Sequence, residues 1–122
     1  MDGTQSVGKI PVKLENVDLF SFSAHKFFGI KGIACLIKKE KINLSPLIAG
    51  GDSQTIYRAG TPSVPLIASL AKALRLILEE EEENNLKVQE LNYYLRKKLV
   101  NLNVIINSPV DASPYILNFS II

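Results

Sequence analysis

The chain has 122 residues, of which 47% are hydrophobic, and it carries a formal net charge of +2. This composition excludes a disordered chain, and the small net charge, with basic and acidic residues interspersed, argues against a nucleic-acid partner. Cys35 is the single cysteine, which excludes an intrachain disulfide, and no apolar run approaches the roughly 20 residues needed to cross a bilayer, so we expect a cytoplasmic protein with no membrane partner.

Two strands joined by a short connection are predicted first. Residues 17–23 are apolar and aromatic, and residues 32–37 form a continuous apolar run that ends at charged residues, so we expect two buried, antiparallel strands. Lys26 follows His25 in the connection between them. From the residues alone, Lys26 is either a solvated surface charge or a partly buried amine, close to phenylalanine side chains, that attacks a carbonyl carbon.

A long loop and two helices follow. Residues 44–63 are rich in glycine, proline and small polar residues, which predicts a loop, and the apolar residues within it predict that the loop is docked. Helical spacing of leucine and isoleucine then predicts a helix that begins near Ser63, whose hydroxyl would be the N-cap. The five glutamates at residues 79–83 predict a solvated helix surface, and Asn84 and Asn85 predict an interruption. The second helix is expected to have an apolar face formed by Val88, Leu91, Leu95, Leu99 and Leu102.

Two short strands are predicted near the C-terminal end, at residues 103–106 and 115–121, with a turn at residues 107–109 between them. The second strand would expose Ile121 and Ile122 unless further protein covered them. We therefore expect the chain to be a fragment of a longer protein.

Two polar segments could bind a ligand, and each also has a purely structural interpretation. Residues 2–5 (DGTQ) are either a polar tail or a carboxylate and an amide held beside a glycine. The glycine-containing loop at residues 50–61, with Arg58 and Thr61, is either a set of surface turns or a phosphate-binding loop. Cys35, inside an apolar run, is interpreted as an inert core thiol.

Taken together in chain order, the motifs in the first 65 residues resemble those of the cysteine desulfurases. These enzymes belong to the class V aminotransferase-like branch of the fold-type I pyridoxal-phosphate enzymes. The resemblance continues more loosely along the helices to the C-terminus. Its motifs are specific as a set: residues 2–9 (DGTQSVGK), 21–26 (SFSAHK), 29–32 (GIKG), 50–51 (GG) and 58–61 (RAGT).

The resemblance implies three residues at the ring of the cofactor, pyridoxal 5'-phosphate (PLP). Lys26 matches the catalytic lysine that links covalently to PLP and later moves the substrate proton. Asp2 matches the aspartate that pairs with the pyridinium nitrogen and keeps it protonated. Gln5 matches the glutamine that hydrogen-bonds the phenolic oxygen of the ring.

The resemblance also implies residues that bind the cofactor phosphate. Ser23 and His25 match phosphate-binding positions, and Thr61 matches a threonine that reaches the phosphate of the neighbouring subunit, so a homodimer is implied. Arg58, in the same motif, is expected to have a structural role or to lie at the substrate entrance. No metal site is expected.

The fold and the reaction follow from the same resemblance. The implied fold is α/β: residues 1–63 would end the PLP-binding large domain, residues 64–101 would be connecting helices, and residues 102–122 would begin a smaller α+β domain. The implied reaction removes sulfur from L-cysteine, giving alanine and an enzyme persulfide, and an acceptor protein takes the sulfur for iron–sulfur cluster assembly or thiolation. The alternatives are a selenocysteine lyase, a small-amino-acid aminotransferase or, for the fragment alone, a non-catalytic dimerisation or packing module.

The sequence also departs from the family. Ile30 stands where the family usually has proline, and the enzymes of the family are roughly three times longer. Their N-terminal phosphate turn, their sulfur-accepting cysteine loop and the arginine that binds the substrate carboxylate have no match in these residues. Cys35 lies in a strand-like run upstream of that cysteine loop, so it is not expected to carry the persulfide. We expect the fragment alone to be inactive and to bind PLP weakly.

Overall fold

The structure is a computed structural model that describes residues 1–51 and 55–122. It combines helices with two small sheets, as expected for a segment of an α/β protein. The elements in chain order are β1 (Leu19–Ser23), a 3-10 turn (Ala24–Phe27), β2 (Ala34–Lys38), α1 (Val64–Glu79), α2 (Glu81–Leu99), β3 (Val104–Ile106) and β4 (Phe119–Ile121). No helix in the described ranges is long and apolar enough to cross a membrane.

The first sheet is the predicted antiparallel pair. Strands β1 and β2 pair in a register that sets Phe22 opposite Cys35, and the connection turns through the 3-10 segment. Alternate side chains of β1, Phe20 and Phe22, are buried. The prediction that the second strand is also buried is wrong for the described residues, because the Leu36 and Ile37 side chains of β2 are exposed.

The N-terminal residues lie alongside β1 on the edge away from β2. The Gly3 amide donates to the Ser21 carbonyl oxygen at 2.8 Å, and the Ser21 amide donates to the Met1 carbonyl oxygen at 3.1 Å. Asp2 thereby forms a parallel bridge with Ser21. Residues 2–5 are therefore not a loose polar tail, since their backbone is hydrogen-bonded to the sheet.

The core lies between this sheet and the last turns of α1. Its buried members are Val7, Phe20, Phe22, Ala24, Phe27 and Ile77. Phe22 is central, because its ring centroid is 5.8 Å from that of Phe20 and 5.9 Å from that of Phe27. The tilted geometry of both pairs is favourable for aromatic rings. Helix α1 thus holds the 3-10 turn in place through buried apolar contacts.

Helix α1 begins at Val64, directly after Ser63, as predicted. The predicted N-cap is wrong in its chemistry, since the Ser63 hydroxyl makes no capping hydrogen bond and its backbone carbonyl instead accepts from the Ile67 amide at 3.0 Å. Pro65 occupies the first turn of the helix, where backbone amides have no acceptor within the helix, so the missing amide hydrogen of proline costs no hydrogen bond.

The break between the helices lies at Glu80, not at Asn84 and Asn85 as predicted. Both asparagines are inside α2, and the Asn85 side-chain amide donates to the Lys9 carbonyl oxygen at 2.5 Å. The break at Glu80 sets residues 81–83 in the first turn of α2, where carboxylates interact favourably with the helix dipole. Tertiary contact and charge placement therefore outweigh the low helix propensity of asparagine.

The described parts of the predicted loop, residues 44–51 and 55–63, contain no helix or strand, and residues 52–54 lie outside the described ranges. The prediction that this loop is docked is wrong for the described residues, because Leu47 is 101% exposed and Ile56 is also exposed. One hydrogen bond, from the Ala59 amide to the Ile48 carbonyl oxygen at 3.2 Å, joins the two limbs of the loop.

The C-terminal unit is a short antiparallel pair held against α2. Strand β3 matches its predicted position, but β4 is shorter than predicted, because Ser113 and Ile116 close a turn before it. Within the predicted apolar face of α2, Leu99 is buried and Val88 is half-buried, whereas Leu91 and the remaining two leucines are exposed.

Candidate functional site

Lys26 lies in the 3-10 turn that directly follows β1, and its side chain is exposed. The expected surrounding of phenylalanine rings is only partly present. Phe27 is buried, whereas Phe28, which adopts a left-handed backbone conformation with φ of 66°, is 94% exposed. The turn is closed by the Gly29 amide, which donates to the Ala24 carbonyl oxygen at 2.9 Å. The structure therefore places Lys26 in a hydrogen-bonded turn with an accessible amine.

Asp2 is exposed and its carboxylate is held by Thr4. The Thr4 hydroxyl donates to Asp2 Oδ1 at 2.5 Å, and the Thr4 backbone amide donates to the same oxygen at 2.8 Å. The hydroxyl contact, and then the amide contact, lower the pKa of the Asp2 carboxyl because both stabilise its ionised form. Since both bonds engage Oδ1, Oδ2 is left to accept from a further donor.

Gln5 is linked to Lys9, four residues further along the same short turn. Lys9 Nζ donates to Gln5 Oε1 at 2.7 Å. Partial burial lowers the pKa of Lys9, and the positive charge of Lys26 lowers it further. The repulsion shows that the ammonium groups of Lys9 and Lys26 share one region of the surface.

A cavity of about 320 Å³ connects this region to both helices. It is lined by Lys9 and Lys26, by Glu80 at the helix junction, and by Tyr115 from the segment before β4. Asp2 and Gln5 do not line this cavity. Gln5 is connected to it by its hydrogen bond with Lys9, which does line the cavity. The sequence alone predicts no functional role for Lys9 or Tyr115. Lys9 is the last residue of the motif at residues 2–9 (DGTQSVGK), and Tyr115 belongs to none of the motifs.

Tyr115 brings a polar group into the same region. Its hydroxyl is buried and has no hydrogen-bond partner among the described residues. Burial, and then the nearby Glu81 carboxylate, raise the pKa of Tyr115, so its hydroxyl stays protonated. Burial likewise raises the pKa of Glu81.

Two of the expected phosphate-binding residues lie beside Lys26. Ser23 is the last residue of β1, half-buried and opposite Ala34, and His25 is exposed in the 3-10 turn. Thr61 is also exposed, but it lies in the loop before α1 and is not among the residues that line the Lys26 cavity. The residues predicted to bind the cofactor are thus in two places. Most of them lie around β1, and Thr61 lies apart from them in the loop before α1.

The residues around β1 fit PLP by their chemistry. An accessible amine can link to the aldehyde, an ionised carboxylate with one free oxygen can pair with the ring nitrogen, and an exposed amide can bond the phenolic oxygen. In the described ranges, no three histidine, cysteine, aspartate or glutamate side chains are grouped to hold a metal ion. Burial raises the pKa of the half-buried Cys35 thiol, which disfavours the reactive thiolate.

Comparison with known proteins gives a consistent result. Among curated proteins, the mitochondrial cysteine desulfurase of Arthroderma benhamiae is 40% identical over 105 residues, covering 83% of this chain and 21% of its own length. The cysteine desulfurase IscS of Dictyoglomus turgidum is 37% identical over 124 residues, covering 98% of this chain and 32% of its own length. The chain therefore spans about a third or less of the curated relatives it matches.

Solved structures agree with the fold. A NifS-like protein superimposes with a TM-score of 0.87 at 39% identity, over 93% of this chain and 32% of its own. DndA from Streptomyces lividans gives a TM-score of 0.88 at 32% identity, over 98% of this chain and 36% of its own. The family model described as aminotransferase class-V matches residues 1–122. By this match over its whole length, the chain belongs to the class V aminotransferase family, and the two curated relatives described above are cysteine desulfurases.

Proposed function

We propose that this chain is part of a PLP-dependent cysteine desulfurase. The observation that carries the proposal is the bridge between Asp2 and Ser21, which aligns the carboxylate segment with the strand that leads into Lys26. The names of the relatives support the same reaction. We further propose that residues 1–63 complete the cofactor-binding domain, residues 64–101 connect it to a second domain, and residues 102–122 begin that domain.

In this proposal each residue around β1 has a distinct task. When bound, PLP supplies an electron-accepting ring that stabilises negative charge at the substrate α-carbon. The Lys26 amine holds the cofactor aldehyde and carries the α-proton of the substrate. Asp2, kept ionised by Thr4, holds the proton on the ring nitrogen. Gln5 donates its amide hydrogen to the phenolic oxygen.

The phosphate is assigned to Ser23, His25 and a threonine from a second subunit. Hydroxyl and imidazole groups suit a phosphate dianion because they donate charge-assisted hydrogen bonds. The position of Thr61 outside the Lys26 cavity supports a role across a dimer interface. We therefore propose a homodimer in which Thr61 of each subunit reaches the phosphate bound by its partner.

The proposed overall reaction transfers sulfur and leaves alanine. The carbon–sulfur bond of L-cysteine breaks, a sulfur–sulfur bond forms on an enzyme thiol, and the carbon skeleton with its hydrogens leaves as L-alanine. The thiol would come from protein outside this chain, since Cys35 is half-buried with a raised pKa. The persulfide sulfur would pass to an acceptor protein for iron–sulfur cluster assembly or thiolation.

The test uses the full-length protein that contains this chain. PLP added to it should produce a visible absorption band that borohydride reduction removes, and L-cysteine should be converted to equal amounts of alanine and transferable sulfur. Lys26→Ala should abolish the band and lower turnover by about a thousandfold, because it removes the amine that links to the cofactor aldehyde and moves the substrate proton. Lys31→Ala, which removes another exposed amine nearby, should leave both unchanged.

A visible band that survives Lys26→Ala would contradict the assigned lysine. A keto-acid product would instead favour a small-amino-acid aminotransferase, and turnover of selenocysteine alone would favour a selenocysteine lyase. We expect the isolated 122-residue chain to bind PLP weakly and to be inactive, in keeping with a packing or dimerisation role for that part alone. Tight stoichiometric binding by the isolated chain would disprove this last expectation.

A further inference from the structure

Lys9 has no task in the proposed function, yet the structure fixes it on several sides. Its Nζ donates to Gln5 Oε1 at 2.7 Å and lies 6.0 Å from the centre of the Tyr115 ring. Its backbone carbonyl oxygen accepts from the Asn85 side chain in α2 at 2.5 Å. A surface lysine without a role would keep its rotamer freedom, whereas this lysine is held at both its backbone and its ammonium group.

The contact between Lys9 and Gln5 determines which way the Gln5 amide faces. An ammonium group has three donors and no acceptor, so it can bond only to the oxygen of the amide. With Oε1 directed to Lys9, the two hydrogens on Gln5 Nε2 are left for another partner. The arrangement selects, from the two orientations of a glutamine amide, the one that donates.

We propose that Lys9 is a positioning residue that holds the Gln5 amide with Nε2 facing the phenolic oxygen of PLP. This inference rests on the proposed function, because it needs Gln5 at the cofactor ring. The phenolic oxygen of PLP is an acceptor, so a glutamine with its oxygen in that place would repel it. Lys9 thereby acts on the cofactor through Gln5.

The charges around Lys9 come from three elements. Lys26 approaches from the 3-10 turn and Glu80 from the helix junction, and both line the cavity that Lys9 also lines. Glu81 of α2 interacts with Tyr115, whose ring lies under the Lys9 ammonium. Loss of Lys9 would remove a cation near Lys26 and release the Gln5 donor, and both changes would make the lysine–cofactor linkage easier to protonate.

The experiment measures the pH midpoint of the visible band in the full-length protein loaded with PLP. Lys9→Met should move this midpoint upward by roughly half a pH unit to one unit. Lys9→Arg, which keeps the donor and the charge, should restore a midpoint close to that of the unmodified protein. Lys13→Met removes an exposed lysine of the same segment and should cause no shift.

A second pair of variants separates positioning from simple charge. In a Gln5→Leu background the amide is gone, so Lys9→Met should then shift the midpoint by less than half as much. An equal shift in both backgrounds would mean that Lys9 acts by its charge alone, and the proposal would be overturned, as it would by the absence of any shift. If the unmodified protein shows no visible band with PLP, the proposed function itself has failed and this inference fails with it.

Discussion

At the scale of single residues, Thr4 controls the ionisation of Asp2. A Thr4→Val substitution removes the hydroxyl donor but keeps the backbone donor, so we expect the pKa of Asp2 to rise part of the way back to its ordinary value of 3.8. The carbon-13 shift of the Asp2 carboxyl carbon, followed by NMR as a function of pH, measures this directly. Thr4→Ser keeps a hydroxyl and should preserve the lowered pKa.

The same contact has a pH dependence of known sign. The pKa of Asp2 is lowered in the folded state, so its contribution to stability is fully present above the ordinary pKa and is lost as the pH falls through the lower, folded-state value. Thr4→Val should therefore reduce the loss of stability on acidification in that range. An unchanged Asp2 titration in Thr4→Val would show that the backbone amide alone sets the ionisation.

Gly3 is required where the N-terminal segment meets β1. A Cβ atom at Gly3 would overlap the ring of Phe20, which is only 3% exposed and cannot move aside. We expect Gly3→Ala to lower the free energy of unfolding by about 1–3 kcal/mol. Urea denaturation measures the change, and Gly51→Ala is the matched control, because its Cβ would meet no heavy atom of the described residues within 4 Å. A Gly3→Ala protein as stable as the control would contradict the close packing.

The sequence motifs predict which residues bind the cofactor, but they do not predict the residues that contact those side chains. Asp2, Gln5 and Lys26 were assigned from the order of short motifs, and those assignments remain predictions. Lys9 and Tyr115 were not assigned, because their significance comes from contacts with α2 and with the segment before β4. Such contacts join residues far apart in the chain, and spacing along the sequence carries no signal for them.

At the scale of elements, hydrogen bonds from Arg96 of α2 hold the segment between β3 and β4 against that helix. Its guanidinium donates to the carbonyl oxygens of Ser108 at 3.0 Å and Pro109 at 2.9 Å, and to Asn92 Oδ1 at 2.7 Å. The Asn92 side chain in turn donates to the Pro114 carbonyl oxygen at 2.8 Å. One half-buried cation therefore satisfies two backbone acceptors and one side-chain acceptor that would otherwise depend on water.

We expect Arg96→Met to destabilise this segment by about 1–3 kcal/mol, because it leaves two carbonyl groups without their donor. Hydrogen exchange of the amides in residues 107–118 should accelerate more than exchange in the first sheet. The matched control is Arg75→Met, which removes an exposed pair with Glu79 on α1 and should cost about 0.5 kcal/mol or less. Equal effects of the two substitutions would contradict the structural role of Arg96.

The sequence predicts which segments are helices and which are strands. It predicts less well where each element begins and ends and how far its side chains are buried. Periodicity predicted a helix beginning near Ser63, which matches α1, and apolar runs predicted β1 and β2 as an antiparallel pair. The helix break was misplaced because asparagine propensity is a weak signal beside the contact from Asn85 to Lys9. The predicted burial of β2 and of the loop at residues 44–63 is greater than the observed burial. An apolar run favours a buried surface, but it does not indicate which part of a protein would bury it.

At the scale of the whole molecule, the proposed dimer makes a prediction about mixed subunits. If Thr61 serves the partner's site, a dimer of one Lys26→Ala subunit and one Thr61→Val subunit has one site with both residues intact. Mixing the two weakly active proteins under conditions of subunit exchange should then restore roughly a quarter of the unmodified activity, since about half of the dimers are mixed and each has one working site.

The control for this experiment is each variant exchanged with itself, which should give no gain. If Thr61 instead contacts the phosphate of its own subunit, every mixed dimer has one site without Lys26 and one without Thr61. The mixture would then only average the activities of the two preparations. A gain above that average is therefore specific to a site shared between subunits.

The bridge between Asp2 and Ser21 also has a consequence for how such sites vary in length. The spacing between the Asp2 segment and the strand leading to Lys26 is set by backbone hydrogen bonds across the sheet, not by the stretch of chain that connects them. That stretch passes through exposed residues at Glu15 and Asn16. Doubling the length of such a loop costs only about 0.6 kcal/mol in closure entropy. Insertions at Glu15 and Asn16 should therefore be tolerated, with the carboxylate and the amine kept in register.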